Sequence, residues 1–228
     1  MFEQTGAAMG ATTRDGIASS RPLTRRSLLA AVRTLTDGDA ALAASVERFG
    51  PPPLWAREPS FATLVHLILE QQVSLASALA AFERLRIAIG EVTPAAFLPL
   101  DDGTLREIGF SRQKAGYAHD LAHALLEGFD LAALEPLPDD EVRRELIQLR
   151  GIGRWTADVY LTMCLLRPDI WPRGDLALAT GAMELLELPV RPTDDELHAL
   201  AEQWRPLRAV AARIVWNHYL GLRGRLDP

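Results

Sequence analysis

Leu149-Arg150-Gly151-Ile152-Gly153-Arg154-Trp155-Thr156-Ala157 is the stretch on which the reading of this chain turns. The apolar spacing predicts one helix over 138–148 and another over 154–166, so a Gly-Ile-Gly hairpin joins them. Such a hairpin is expected to be too tight for a side chain at either glycine, and glycine also lets backbone pass close to a partner. The first N–H groups of the second helix then lack intrahelical acceptors and point outward, and the helix dipole adds roughly half a positive charge there. This makes an anion site that needs no lysine, and a phosphate fits it. A plain helical corner that merely needs glycines satisfies the same letters, so the rest of the chain has to decide.

Outward from the hairpin, helical spacing continues almost everywhere. Phe61, Leu64, Val65, Ile68 and Leu69 form one stripe behind an N-capping Ser60. Leu75, Ala78, Leu79, Phe82 and Leu85 form a second behind Ser74, stopped near Gly90. Thr93-Pro94 reads as a cap followed by a first-turn proline. Further helices are expected near 103–107, 111–127, 176–186, 193–203 and 206–220, with Pro172, Pro189 and Pro192 between elements. No alternating strand of useful length is found. The fold class is therefore all-α, about ten short helices, arranged as two lobes or one large domain. Residues 1–22, rich in Gly, Ala, Thr and Ser, read as a flexible tail before a domain spanning 23–228.

Composition narrows the classes. The 228 residues are 48% hydrophobic and 24% charged, which excludes disorder or a coiled-coil rod as the main state. Neither a membrane-spanning run nor an apolar signal segment in Met1 to Arg21 is seen, so a cytoplasmic setting is expected. A single cysteine, Cys164, excludes an intrachain disulfide, a four-cysteine zinc site and an iron–sulfur cluster. The net charge of −6 argues against a protein that coats nucleic acid with lysine and arginine. It does not argue against local contacts made through backbone amides.

Two more segments carry candidate chemistry. Within Trp171-Pro172-Arg173-Gly174-Asp175-Leu176, the proline ends one element, the glycine permits a sharp turn, and Asp175 falls at the next helix start. An ordinary N-cap would look the same. In Glu70-Gln71-Gln72-Val73-Ser74, two long amide side chains sit at a helix junction between apolar stripes, where they could lean into a groove.

Taken together, these segments resemble the helix-hairpin-helix DNA glycosylases that carry a Gly/Pro-rich loop and an aspartate, most closely their 3-methyladenine DNA glycosylase II type. The resemblance spans about residues 50–221. It rests on Gln71-Gln72-Val73-Ser74, Ser111-Arg112-Gln113-Lys114-Ala115, the 149–157 hairpin, Trp171 to Asp175, and Trp204-Arg205-Pro206-Leu207-Arg208 followed by Trp216. It implies two helical lobes flanking a cleft, with Asp175 as the catalytic aspartate at its bottom. Trp155 and Trp216 would line the pocket for a flipped base. Leu149, Gly151, Ile152, Gly153, Arg154 and Thr156 would grip DNA phosphate, Gln71 would also contact DNA, and Gln72 would be the wedge that fills the vacated stack. The resemblance also implies a Na or K ion on the backbone carbonyls of Ile147, Leu149 and Ile152, with no metal held by side chains and no other cofactor. The implied partner is double-stranded DNA containing alkylated bases, with no obligate protein partner.

The sequence departs from the family in places. Arg150 stands where the hairpin usually has proline, and Glu70 where glycine or serine is common. Val159 and Leu176 stand at positions aromatic in some members. The roughly 50 residues before the core leave no room for the extra β-rich domain of longer members. Trp155 occupies the position of the lysine with which some members also cut the backbone, so no Schiff base is expected. The implied activity is hydrolytic excision of bases such as 3-methyladenine and 7-methylguanine, leaving an abasic site. The alternatives are a glycosylase for deaminated or mismatched bases, a non-catalytic DNA-binding module, and a purely structural helical protein. His119 and His123 read as a solvated helix face rather than a metal pair, and Arg112, Lys114, Arg208 and Arg213 as surface charge or phosphate contacts.

Overall fold

The computed structural model describes residues 21–226. Most of the expected tail lies outside the described residues. Twelve α-helices and two short 3-10 turns make up the described chain, and no strand occurs among these residues. They are α1 (Arg25–Gly38), α2 (Ala40–Phe49), α3 (Phe61–Glu70), α4 (Leu75–Ile89), α5 (Pro94–Phe97), α6 (Asp102–Ile108), α7 (Arg112–Leu126), α8 (Asp139–Gln148), α9 (Arg154–Met163), α10 (Leu176–Leu185), α11 (Asp194–Ala201) and α12 (Arg208–Leu222). The all-α expectation holds. The expected caps at Ser60, Ser74 and Thr93 each accept a backbone N–H from the first turn that follows. The helices α1 and α2 are additions to the sequence reading, and both are capped: Thr24 and Ser27 form a reciprocal box, and Asp39 accepts from Ala41 and Leu42.

Apolar side chains gather into two cores. The first holds Leu64, Ile68, Phe97, Leu121, Leu146 and Leu161, all from α3 to α9. The second holds Leu28 and Leu42 from α1 and α2, with Leu178, Trp204, Val210 and Val215 from the C-terminal third. The chain therefore starts in one lobe, crosses to build the other, and returns to finish the first. Met163, at the end of α9, packs against both cores.

Polar ties close the crossing points. The N–H of Leu23 donates to the Leu166 carbonyl at 2.8 Å, and the N–H of Arg57 to the Met163 carbonyl at 2.9 Å. Arg213 and Arg208 correct the sequence reading, because neither is surface charge. Arg213 is fully buried and donates to the carbonyls of Leu54 (3.1 Å), Thr162 (2.6 Å) and Ala209 (2.9 Å). Burial pushes its guanidinium down to about 10. Arg208 forks onto Asp169 with two donors, at 2.9 and 3.0 Å. The Leu54 carbonyl lies in a loop and the Thr162 carbonyl at a helix end, so Arg213 satisfies acceptors that helices leave open, while Arg208 pairs the neighbouring acid.

Candidate active site

Asp175 is the N-cap of α10, and only 8% of it is exposed. Its Oδ1 accepts the Leu178 N–H at 2.8 Å, as a cap should. The rest of the carboxylate is held by two indoles. Trp155, on α9, donates Nε1–H to Oδ2 at 2.8 Å, and Trp216, on α12, donates Nε1–H to Oδ1 at 3.3 Å. Trp155 packs against the first core and Trp216 belongs to the second, so the carboxylate sits where the lobes meet. Three donors at the α10 N-terminus hold the carboxylate in one orientation.

This geometry revises the reading of the tryptophans as two open walls. Their N–H groups are spent on Asp175. Trp216 is 7% exposed, leaving little of its face free, and meets Trp55 edge-on at 6.4 Å between ring centres. Trp155 remains partly exposed. Trp55, which the sequence reading passed over, is the additional aromatic at this place. Leu176, next to the carboxylate, is 65% exposed, whereas Val159 is buried.

The loop bearing Asp175 is held from two sides, firmly by Asp194 and Asp195 and more loosely by Asp158. The Arg173 side chain pairs with Asp194, at 2.7 Å, and with Asp195. The Gly174 N–H donates to Asp194 Oδ1 at 2.7 Å. On the other side, the Arg173 N–H reaches Asp158 Oδ2 at 3.3 Å. Asp158 is fully buried on α9 and also accepts from Arg143 Nε (2.7 Å, to Oδ1) and Arg154 Nε (3.2 Å, to Oδ2). Sequence reasoning missed Asp158. Its signal was a carboxylate one turn after Arg154 in an otherwise apolar run, Ala157 to Leu161.

At the hairpin, Gly151 has φ +88°, and a Cβ there would stand 2.2 Å from the Tyr117 ring. Gly153 corrects the expectation that both glycines are crowded: it has φ −93°, and nothing lies within 4 Å of where its Cβ would be. It caps α9 with no side-chain hydrogen bond, so the helix start faces open space with its donors free. The exposed Arg150 pairs with Asp120 at 2.8 Å. Leu149 and Ile152 are buried, joined by a turn bond from the Ile152 N–H to the Leu149 carbonyl at 3.0 Å. They shape the hairpin from within rather than through exposed side chains.

The two glutamines part company. Gln71 turns inward and donates its amide to the Gly151 carbonyl (2.9 Å) and to Thr156 Oγ1 (3.1 Å). Its side chain, like that of the buried Thr156, is spent on bracing the hairpin, which corrects both as direct side-chain contacts to DNA. Gln72 is exposed at the loop tip with φ +58°, a left-handed conformation uncommon for its type. Lys114 corrects its reading too: its Nζ donates to the carbonyls of Leu69 and Gln71, each at 2.8 Å, and holds this loop from behind. Exposed apolar side chains, Val73 and Leu75, follow the tip. His119 is half-buried and packs edge-on against Phe97 at 5.1 Å. No cluster of three or more His, Cys, Asp or Glu among the described residues could hold a metal. Nor is any described helix long and apolar enough to cross a membrane.

Comparison with known proteins agrees with this geometry. Residues 65–206 match the HhH-GPD superfamily of base excision DNA repair proteins. The YfjP protein of Bacillus subtilis is 29% identical over 186 residues, covering 78% of this chain, and the chain spans only 65% of YfjP's length. DNA-3-methyladenine glycosylase 1 of Schizosaccharomyces pombe is 28% identical, over 75% of this chain and 78% of its own. The solved structure of the Schizosaccharomyces pombe 3-methyladenine DNA glycosylase Mag1, in complex with abasic DNA, superposes with a TM-score of 0.76 at 29% identity, covering 82% of this chain and 95% of that one. With the family match spanning well over half of its residues, hairpin and Asp175 included, the chain belongs to the HhH-GPD superfamily of base excision DNA repair proteins.

Proposed function

We propose that this protein is a monofunctional DNA glycosylase that flips alkylated bases out of duplex DNA and hydrolyses their glycosidic bond. The observation that carries the reading is the Asp175 carboxylate, buried between the lobes and oriented by Trp155, Trp216 and the Leu178 N–H. Base excision builds positive charge on the sugar as the base departs. A fixed anion beside C1′ stabilises that charge and can orient or deprotonate the attacking water. A methylated, cationic purine is already a good leaving group, so no strong acid is required. Trp55 and the open part of Trp155 offer flat surfaces to such a base, with stacking worth roughly 1–3 kcal/mol.

The remaining parts supply the work of flipping, which costs a few kcal/mol. The bare α9 start at Gly153 receives a phosphate, and Gln72 with Val73 enters the gap left in the stack. A monovalent cation held by the carbonyls of Ile147, Leu149 and Ile152 would add positive charge beside that phosphate. Such a neutral, carboxylate-free donor set suits a singly charged ion. The abasic-DNA complex of the Schizosaccharomyces pombe relative supports DNA as the partner, and we take it to be double-stranded. We take residues 23–228 as the working unit, acting on the chromosome in the cytoplasm, with no obligate protein partner.

The test is incubation of the purified protein with a methylated duplex, followed by chromatography of the released bases. Free 3-methyladenine and 7-methylguanine with an unbroken strand are expected. The absence of released base would refute the assignment, and a covalent adduct trapped by borohydride would refute its monofunctional form.

A further inference from the structure

Asp158 joins three elements through one carboxylate. Its Oδ1 takes a single short bond, from Arg143 Nε at 2.7 Å. Its Oδ2 is shared between Arg154 Nε at 3.2 Å and the Arg173 N–H at 3.3 Å, and both are long for charge-assisted bonds. The two donors share one oxygen, each at a long distance. They also belong to different functional parts. Arg154 is the first residue of α9, half-exposed beside the open hairpin start, and Arg173 lies two residues before Asp175.

We propose that Asp158 is a positioning residue that links phosphate engagement at the hairpin to the setting of the Asp175 loop. This rests on the function proposed above. In the free protein, Arg154 draws on Oδ2 and the Arg173 N–H is held weakly. A DNA phosphate at the α9 start offers Arg154 a stronger, exposed anion. When Arg154 turns to it, Oδ2 passes to the Arg173 N–H, and the loop that carries Asp175 is drawn onto α9. Arg143 keeps the carboxylate oriented throughout, because its bond goes to the other oxygen. The loop's far side is already fixed by Asp194, so the Arg173 amide is the adjustable point. The anion at Asp175 is thereby set once the duplex is gripped.

Amide hydrogen exchange at Arg173 reads this link directly and does not depend on base release. In free wild type the amide should exchange readily. Adding a duplex with a tetrahydrofuran abasic analogue should slow it by about tenfold or more, as local opening becomes rarer. Arg154→Ala removes the competitor, so its Arg173 amide should be slow without DNA, which separates the link from simple covering by the duplex. In Asp158→Asn the amide should stay fast with and without DNA. At saturating enzyme that variant should also release base about tenfold more slowly, with duplex affinity no weaker than wild type, because Arg154 is freed for phosphate. An Arg154→Ala protein whose free Arg173 amide exchanges as in wild type overturns the proposal, and this arm decides even if Asp158→Asn does not fold. So does an Asp158→Asn protein with unchanged release rate. Wild type that shows the exchange pattern yet releases no methylated base would sink the proposed activity and leave the link standing.

Discussion

The hairpin and the Asp175 loop are both helix starts, and they are built in opposite ways. At Gly153 the start of α9 has no capping side chain and open space in front of it. At Asp175 the start of α10 is capped, and the capping carboxylate is held by two further donors from both lobes. One region works by leaving donors unsatisfied, and the other by satisfying an acceptor from every side. An empty helix start invites a mobile anion from solution or DNA. A saturated one keeps its own carboxylate oriented, which is what a developing cation requires.

The sharpest way to break this contrast is to remove the charge from the saturated side. Asp175→Asn has one oxygen left for three donors and no negative charge. Single-turnover release of 3-methyladenine should fall by at least about 100-fold, by analogy with loss of a single transition-state donor. Duplex binding, which depends on the other helix start, should persist. Near-wild-type release would show that Asp175 is a cap and nothing more.

The two hairpin glycines sharpen the comparison from the empty side. Gly151→Ala drives a methyl group into Tyr117 at φ +88°, so thermal unfolding should report a loss of about 1–3 kcal/mol from overpacking alone. Gly153→Ala meets nothing inside the protein, and its stability should change by no more than about 1 kcal/mol. Its methyl group intrudes where a phosphate would sit, so duplex affinity should fall by roughly tenfold, or about 1.4 kcal/mol. Equal destabilisation by the two substitutions would mean that the empty start is not empty. The same picture calls for a shallow salt dependence, about −0.9 in log–log slope for each phosphate neutralised. A slope near −10, which reflects many phosphate contacts, would reveal a basic surface that the chain's charge of −6 gives no reason to expect.

The same distinction explains what could be read from the letters. The caps at Ser60, Ser74 and Thr93 and the turn before Asp175 were legible because capping is local: the acceptor and the N–H lie within three residues. Long-range acceptors were not. Arg213 looked like surface charge because its partners are main-chain carbonyls, which every residue carries and no letter announces. Gln71 and Lys114 were misread for the same reason, since both end on carbonyls of other loops or helices. Gly153 was misread in the other direction, because a glycine kept for an absent partner and one kept for a crowded neighbour look identical in sequence. The resemblance located Trp155 and Trp216, but the direction of their N–H groups is a property of the packed lobes.

Those two indoles give the finest test of the saturated start. Trp155→Phe and Trp216→Phe each keep an aromatic ring and lose only the N–H. The Trp155 bond is 2.8 Å long and goes to Oδ2, the oxygen that no backbone donor holds. The Trp216 bond is 3.3 Å long and goes to Oδ1, which the Leu178 N–H already fixes at 2.8 Å. A hydrogen bond to a charged group contributes about 1.5–3 kcal/mol, and Trp155 should sit inside that range and Trp216 below it. Single-turnover release should therefore slow by roughly 10- to 100-fold in Trp155→Phe and by under about tenfold in Trp216→Phe, since every 1.36 kcal/mol is a factor of ten in rate. If Trp216→Phe proves the more damaging change, its indole acts on the base or the lobe packing rather than on the carboxylate. Asp175 would then be oriented chiefly from the α9 side and by its own helix.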